Sequence, residues 1–544
     1  MDAGVDALPD WLTPLPDAAA MRALDGWAIE QRGVPSLDLM ERAGAGVTRA
    51  VERLAPDGPV AVLCGKGNNG GDGFVAARLL RDAGREVSVL CAAPLAELSG
   101  DARLNAERLP GPRPSEIGGS LGETLAAASV VVDALLGTGF AGEPHGAVAE
   151  AIAALAGVAA PVVSVDVPSG VDASSGEVAG VAVEARVTVT FQHAKPGLWI
   201  HPGKGCAGEV QALDIGIPRG GPLAAEVGLI SPAVLAELAR RGAGSTKFSS
   251  GHVVVAGGSR GLTGAPRMAA LGAMRAGAGY VTACVPASLQ PSLAGGPPEL
   301  MTRGLADEDG AHTGAGVRDA LAATARGGAS GGALALGPGL GRTDGAVAFA
   351  RALAREADVA LVLDADGLNA HAGQLEELAA RRRPSVLTPH AGELARLLDG
   401  ESETIEARRL HHARLAARRA NAVVVLKGDD TLVADPSGLV GVSAGNSPAL
   451  ATAGTGDVLC GVVAALLSQG LPPFTAACAA VLLHARAGRL AARAVGAAEG
   501  VIASDVIAAL PAARADDGAG PSADLTGGLA RAGQAPRAMA KGGR

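Results

Sequence analysis

The sequence predicts an α/β protein of two domains, each a parallel β-sheet held between layers of helices. Short β-branched runs alternate with Ala-rich helical stretches over most of the 544 residues, the order that covers a parallel sheet on both faces. Nearly every run ends in Gly or Asp, and ligands of open α/β sheets bind beyond the carboxyl ends of strands. The alternation pauses once, at Pro218-Arg219-Gly220-Gly221-Pro222, before a second series starts near Leu229. The domains are therefore expected at residues 21–220 and 228–510.

Taken in order, residues 1–20 read as an N-terminal extension. They carry Asp2, Asp6, Asp10 and Asp17 and lack a basic segment followed by an apolar core, so no secretory signal is expected. Strands of the first domain are expected at Val60 to Cys64, Val130 to Leu135 and Val162 to Val165. Those of the second are expected at Val253 to Ala256, Leu334 to Leu336, Val359 to Leu363 and Val423 to Leu426. Val458 to Ala485 carries no charge, yet Ser468-Gln469-Gly470-Leu471-Pro472-Pro473 breaks it into two short buried helices, too short to span a membrane. Residues 511–544 turn to Gly, Ala, Pro and charge and read as a disordered tail.

Composition narrows the function. With 48% hydrophobic but 2% aromatic residues, the cores must be built from Ala, Val and Leu. A net charge of −9 argues against nucleic acid or an anionic membrane as partner, while leaving small anions held locally by backbone amides. Six cysteines without a CxxC pair or a His/Cys metal spacing fit buried thiols in a reducing, cytoplasmic setting.

Two glycine runs carry chemistry. Thr452-Ala453-Gly454-Thr455-Gly456-Asp457 opens a helical apolar pattern at Leu459, Val462, Val463, Leu466 and Leu467. Small residues there let backbone N–H groups and the helix dipole meet a charged oxygen, and Asp457 is placed to take a proton during phosphoryl transfer. The plainer reading is a flexible loop with an N-capping Asp, since the chain holds 79 glycines. In the first domain, Gly65-Lys66-Gly67-Asn68-Asn69-Gly70-Gly71-Asp72-Gly73 follows a strand and precedes a helix with Val75, Leu79 and Leu80. That order suits phosphate, although neither the Walker A ending nor GxGxxG spacing is present.

Later strand ends add Val132-Asp133-Ala134-Leu135-Leu136-Gly137-Thr138-Gly139-Phe140 and Val165-Asp166-Val167-Pro168-Ser169-Gly170. Together with Leu39-Met40-Glu41-Arg42-Ala43-Gly44, Thr190-Phe191 and Lys195-Pro196-Gly197, these segments make the first half resemble the NAD(P)H-hydrate epimerase family over about 200 residues. The resemblance implies a Rossmann-like three-layer αβα domain. It also implies that Asn68, Asn69, Gly70, Gly71 and Asp72 bind the hydrated dinucleotide with Gly137, Thr138, Gly139, Phe140, Ala141, Gly142 and Glu143. Asp166 is implied to contact the nicotinamide ring, and Asn69, Asp133 and Ser169 to ligate potassium. Either Asp133 or Asp166 could move protons during inversion.

The second half resembles the ADP/ATP-dependent NAD(P)H-hydrate dehydratases of the ribokinase-like αβα fold. Its segments are Gly257-Gly258-Ser259, Thr263-Gly264-Ala265-Pro266, Gly337-Pro338-Gly339-Leu340-Gly341, Asp364-Ala365-Asp366-Gly367-Leu368-Asn369, Thr388-Pro389-His390-Ala391-Gly392-Glu393, Lys427-Gly428-Asp429-Asp430-Thr431 and the Asp457 run. By that resemblance Ala265, Gly339, His390 and Asp457 line the hydrated substrate, while Lys427, Gly428, Asp429, Asp430, Thr431 and Gly456 hold the nucleotide. Implied cofactors are potassium, Mg²⁺ and ADP as co-substrate, the Arg-over-Lys composition favouring a bacterial, ADP-using member. A homo-oligomer is expected. The rival expectation is a ribokinase-like small-molecule kinase fused to a non-catalytic nucleotide-binding or interaction domain, whose phosphorylated product would be stable.

Overall fold

The computed structural model describes residues 8–325 and 332–515. Two sheets organise it. The first has seven strands, all parallel, in the spatial order Ser115–Glu116, Val87–Cys91, Val60–Cys64, Val130–Ala134, Val162–Val165, Val187–Phe191 and Glu209–Leu213. Strand residues alternate between two cores: Val60, Val62 and Cys64 face one helical layer, Ala61 and Leu63 the other. Because both faces are covered, the run Val60–Cys64 is apolar throughout and alternation is absent from the sequence.

The second sheet has eleven strands. Ser385–Leu387, Ala360–Leu363, Ala333–Leu336, His252–Ala256, Tyr280–Pro286 and Met301–Leu305 run parallel beside Val423–Leu426. Beyond Val423–Leu426 the sheet departs from the expected parallel pattern, because Leu432–Ala434 pairs antiparallel to both neighbours. A connection of a few residues can only reverse a chain, whereas a parallel return needs a crossover of a dozen or more. Val440–Val442 and Val227–Ile230 follow, and Leu12–Pro14 closes the edge antiparallel to Val227–Ile230.

That edge strand corrects the reading of residues 1–20 as an extension. Leu12 is buried in the second domain's core, and Trp11 packs its ring against Phe474 with centroids 5.8 Å apart. Helix Ala18–Gly26 then enters the first domain. At the other end, helix Ala503–Ala515 continues past the expected boundary at 510, with Leu510 and Ala513 buried; the remaining tail lies outside the described residues.

The charge-free stretch forms two helices, Thr455–Ser468 and Pro473–Val495, split where Gly470 and Pro472-Pro473 stand. No helix among the described residues is long and apolar enough to cross a membrane. All six cysteines are free, and only Cys206 is not fully buried.

Candidate functional sites

At the carboxyl edge of the first sheet lies a cavity of about 760 Å³, within the range of dinucleotide-sized sites. Asn68, Asn69, Asp72, Gly137, Thr138, Gly139, Phe140 and Asp166 line it; Gly70, Gly71, Ala141, Gly142 and Glu143 do not. The Gly65–Gly73 run is less of a loop than its composition suggests, because helix Asn68–Asp82 begins at its fourth residue. The glycines serve close packing. A side chain on Gly70 would strike the Gly65 carbonyl, and one on Gly73 would meet the Ala134 side chain at 2.6 Å and Cys64 Sγ at 2.9 Å. The result is a helix amino end drawn onto the strand, with Gly67, Asn68 and Asn69 at the cavity wall.

Asp166 follows strand Val162–Val165 with φ of +65°, a left-handed geometry that a non-glycine residue holds only under constraint. Lys195, 1% exposed, supplies that constraint: its Nζ donates to Asp166 Oδ1 at 2.5 Å, Thr190 Oγ1 at 2.8 Å and the Phe191 carbonyl at 3.0 Å. Thr138 Oγ1 also donates to Asp166. Burial alone would raise the Asp166 carboxyl, but the Lys195 charge together with hydrogen bonds from Lys195, Thr138 and the Phe191 N–H outweighs it and holds the group below its ordinary range. Asp72 moves the other way. Burial and the nearby charges of Asp166 and Asp25 push it well up, against the pull of Lys195.

Asp133 is a different object. It is fully buried, lies behind the cavity wall, and accepts from Ser164 Oγ at 2.8 Å, Ser169 N at 2.9 Å, Ser169 Oγ at 2.5 Å and Leu135 N at 3.3 Å. Four donors meet its carboxyl and it does not line the cavity, an arrangement that favours an organising role over proton transfer. Of the residues implied to ligate potassium, Ser169 Oγ is 3.3 Å from the Leu136 carbonyl, and Asn69 Nδ2 donates to the same carbonyl at 2.9 Å. Oxygens of a carboxylate, a hydroxyl and a carbonyl converge there, a hard donor set suited to a monovalent cation.

Two cavity residues were not read from the sequence in this role. Lys195 stands in a quoted segment, but nothing local says that it reaches back to Asp166. Asp25 left a signal: it lies four residues after Met21 and three before Ala28, both buried, so a charge sits in an apolar helical stripe.

The second site collects where the parallel strands of the larger sheet end. Asp364, Thr388 and Lys427 each follow a strand, and Lys427 Nζ lies 3.1 Å from Asp364 Oδ1 and 3.6 Å from Glu393 Oε2. The same ammonium is 3.6 Å from where a side chain on Gly456 would begin, so Gly456 leaves the space in front of it open. Gly454, at φ +89°, caps helix Thr455–Ser468 without a side chain to claim its first amides. Asp457, third in that helix, is raised to about 7 by burial and by the charge of Asp364, against the pull of Lys427.

Gly339, at φ +63°, and Ala265 adjoin, since a side chain on Gly339 would meet Ala265 Cβ at 3.0 Å. His390 caps helix Ala391–Leu398: its Nδ1 accepts from Gly392 N at 3.1 Å while Glu393 bonds back to its N–H. Burial lowers its basicity, so the ring is neutral with its other nitrogen carrying the proton.

Three predicted nucleotide residues are engaged elsewhere. Asp430 is 1% exposed, ion-paired to Arg409 at 3.0 Å and accepting from the His201 N–H of the first domain at 2.8 Å. Asp429 binds Lys204, and His201 and Lys204 hold its carboxyl far below the usual range. Thr431 Oγ1 donates to the Gly428 carbonyl at 2.7 Å and accepts from Asn446 Nδ2 at 3.0 Å. Thr431 shapes the Lys427 loop while Asp429 and Asp430 seat it on the first domain; Lys427 and Gly456 remain beside Asp457. Asp364 and Glu393 were quoted in segments but not assigned a role.

Fold and sites together define a class: two α/β domains on one chain, one with a buried carboxylate–lysine pair, one with a raised carboxyl at an open helix end. The model described as NAD(P)H-hydrate dehydratase matches residues 253–512, and that described as YjeF-related protein N-terminus matches residues 36–197. A bifunctional NAD(P)H-hydrate repair enzyme of Salinibacter ruber is 40% identical over 538 residues, covering 92% of this chain and 96% of the relative. One of Moorella thermoacetica is also 40% identical, covering 91% and 95%. A Bacillus subtilis ADP/ATP-dependent NAD(P)H-hydrate dehydratase, crystallised with ATP and Mg²⁺, is 30% identical, covering 52% of this chain and 94% of that one, with a TM-score of 0.45. The chain belongs to the family of bifunctional NAD(P)H-hydrate repair enzymes.

Proposed function

We propose that the first site interconverts the R and S epimers of hydrated NADH and NADPH, and that the second dehydrates the S epimer at the expense of ADP. The observation that carries the second step is Asp457, a carboxyl raised to about 7 beside Lys427 at an open helix amino end. Water is a poor leaving group, so the ring hydroxyl is phosphorylated first. Asp457 takes the hydroxyl proton, while Lys427 and the first amides of helix Thr455–Ser468 meet the charge on the transferring phosphoryl group. Phosphate then leaves with the carbon–oxygen pair, and loss of a proton from the adjacent ring carbon restores the dihydronicotinamide, leaving AMP.

Potassium would be held by Asn69, Asp133 and Ser169, where it would neutralise the buried carboxylate and order the loop carrying Gly137. Among the described residues no group of three His, Cys, Asp or Glu side chains is arranged to hold a metal. Magnesium is accordingly assigned to the nucleotide, whose phosphates supply most of its ligands and the charge neutralisation it brings. Six free cysteines support a reducing, cytoplasmic setting.

The test is to add protein to mixed hydrate epimers and follow NADH absorbance with and without ADP or ATP. Full recovery with ADP is expected; a stable phosphorylated hydrate would favour a simple kinase. Asp457→Asn should lower the dehydration rate by about 10²–10⁴-fold. Since Asp457 acts as base, kcat/KM in the parent should fall about tenfold per pH unit below about 7, where the carboxyl is protonated.

A further inference from the structure

Asp25 lines the first cavity together with Asp72, Thr138, Asp166 and Lys195. Its helix, Ala18–Gly26, runs directly into a π-helical turn, Trp27–Gln31, a distortion that recurs at functional sites because it sets a side chain off the regular helical stripe. Among the described residues no donor hydrogen-bonds the Asp25 carboxyl; what reaches it is the charge of Lys195 and of Asp166. It is therefore a carboxyl held in a cavity wall with its proton uncommitted, opposite a carboxylate that Lys195 keeps ionised.

We propose that Asp25 is the proton donor of the epimerase site, working against Asp166; the assignment rests on the epimerase reading of this domain. Asp25 gives its proton to the ring hydroxyl, the carbon–oxygen bond breaks with its electron pair leaving as water, and the ring nitrogen's lone pair forms a carbon–nitrogen double bond. The cation so formed lies against the Asp166 carboxylate. Water adds to the opposite face, the double-bond pair returns to nitrogen, and the strongly acidic added oxygen loses its proton to Asp166. Burial, aided by the Asp166 charge and opposed by Lys195, raises Asp25 to about 6 while Asp166 stays low. The proton consequently ends on Asp25, and the site is restored with no net proton change. The charged and titrating groups around Asp25 are Lys195, Asp166 and Asp72, with Arg22 from its own helix also on the cavity wall.

In the full chain, Asp25→Asn should lower R-to-S interconversion at least about 100-fold, Asp25→Glu should recover part of it, and the dehydration rate on the S epimer reports that the fold is intact. The parent's kcat/KM for interconversion should decline as pH rises above about 6, and that limb should vanish in Asp25→Asn. Asp25→Asn within threefold of an active parent, or retention of the limb, overturns the assignment. A parent that does not accelerate interconversion at all overturns the epimerase reading, and the assignment with it.

Discussion

Asp133 and Asp166 end neighbouring strands of one sheet, yet their surroundings give them opposite tasks. Asp133 receives four hydrogen bonds and no charged partner, so it organises the Leu135–Ser169 region; Asp166 receives an ammonium and faces the cavity. Asp133→Ala leaves buried donors of Ser164 and Ser169 unmatched, at about 1–3 kcal/mol each. The expected outcome is about 3 kcal/mol lower stability by urea unfolding, with interconversion lost through disorder of the loop. Stability within 0.5 kcal/mol of the parent, set roughly at the size of an ordinary surface change, would remove the organising role. Asp166 and Asp457 stand out in the sequence because the first comes directly after a β-branched strand run and the second follows Gly454-Thr455-Gly456 at a helix start. The partners of Asp429 and Asp430 were not legible for a physical reason: His201 and Lys204 are more than 200 residues away in the chain, where no local pattern can register them.

Between helices, glycine does the placing. Helices Gly264–Arg275 and Thr455–Ser468 approach so closely that a side chain on Gly461 would overlap the Ala269 carbonyl, and one on Gly272 would lie 2.8 Å from the Val458 carbonyl. The contact matters for chemistry because Thr455–Ser468 carries Asp457 at its start and Gly264–Arg275 carries Ala265 at its own. Gly461→Ala must push two helix backbones apart, a change of about 1–3 kcal/mol or more. It should lower both the urea midpoint and the dehydration rate, while interconversion in the first domain is unaffected. An unchanged dehydration rate would show that the helix spacing does not set the position of Asp457. Strand runs at Val60–Cys64, Val162–Val165 and Val423–Leu426 were legible to the residue, since continuous β-branched stretches have one stable arrangement. The short hairpin strands Leu432–Ala434 and Val440–Val442 were not, because three residues carry too little pattern.

Across the whole molecule, the Lys427 loop is gripped from behind by the first domain. His201 and Lys204 hold Asp430 and Asp429, Arg408 pairs with Glu177 at 3.1 Å, and Leu198, Trp199 and Ile200 belong to the same buried cluster as Val424 and Leu426. Lys204 lies only nine residues beyond Lys195, so one short segment serves both sites. An ion pair with one half-exposed partner contributes about 0.2–1 kcal/mol. Lys204→Ala should therefore raise the KM for ADP by roughly 1.4- to fivefold, the conversion of that energy, and leave interconversion unchanged. Identical ADP kinetics in the variant would mean that the loop holds its shape without this contact.

The edge strand Leu12–Pro14 sets an order in time. Its partner, Val227–Ile230, is made roughly 200 residues later, so at about 5–20 residues per second the newborn strand waits some ten to forty seconds. Throughout that interval Trp11 and Leu12 have no core to enter, and the first domain must close beside a segment that belongs elsewhere. The second domain is finished only when this much earlier segment comes back to it.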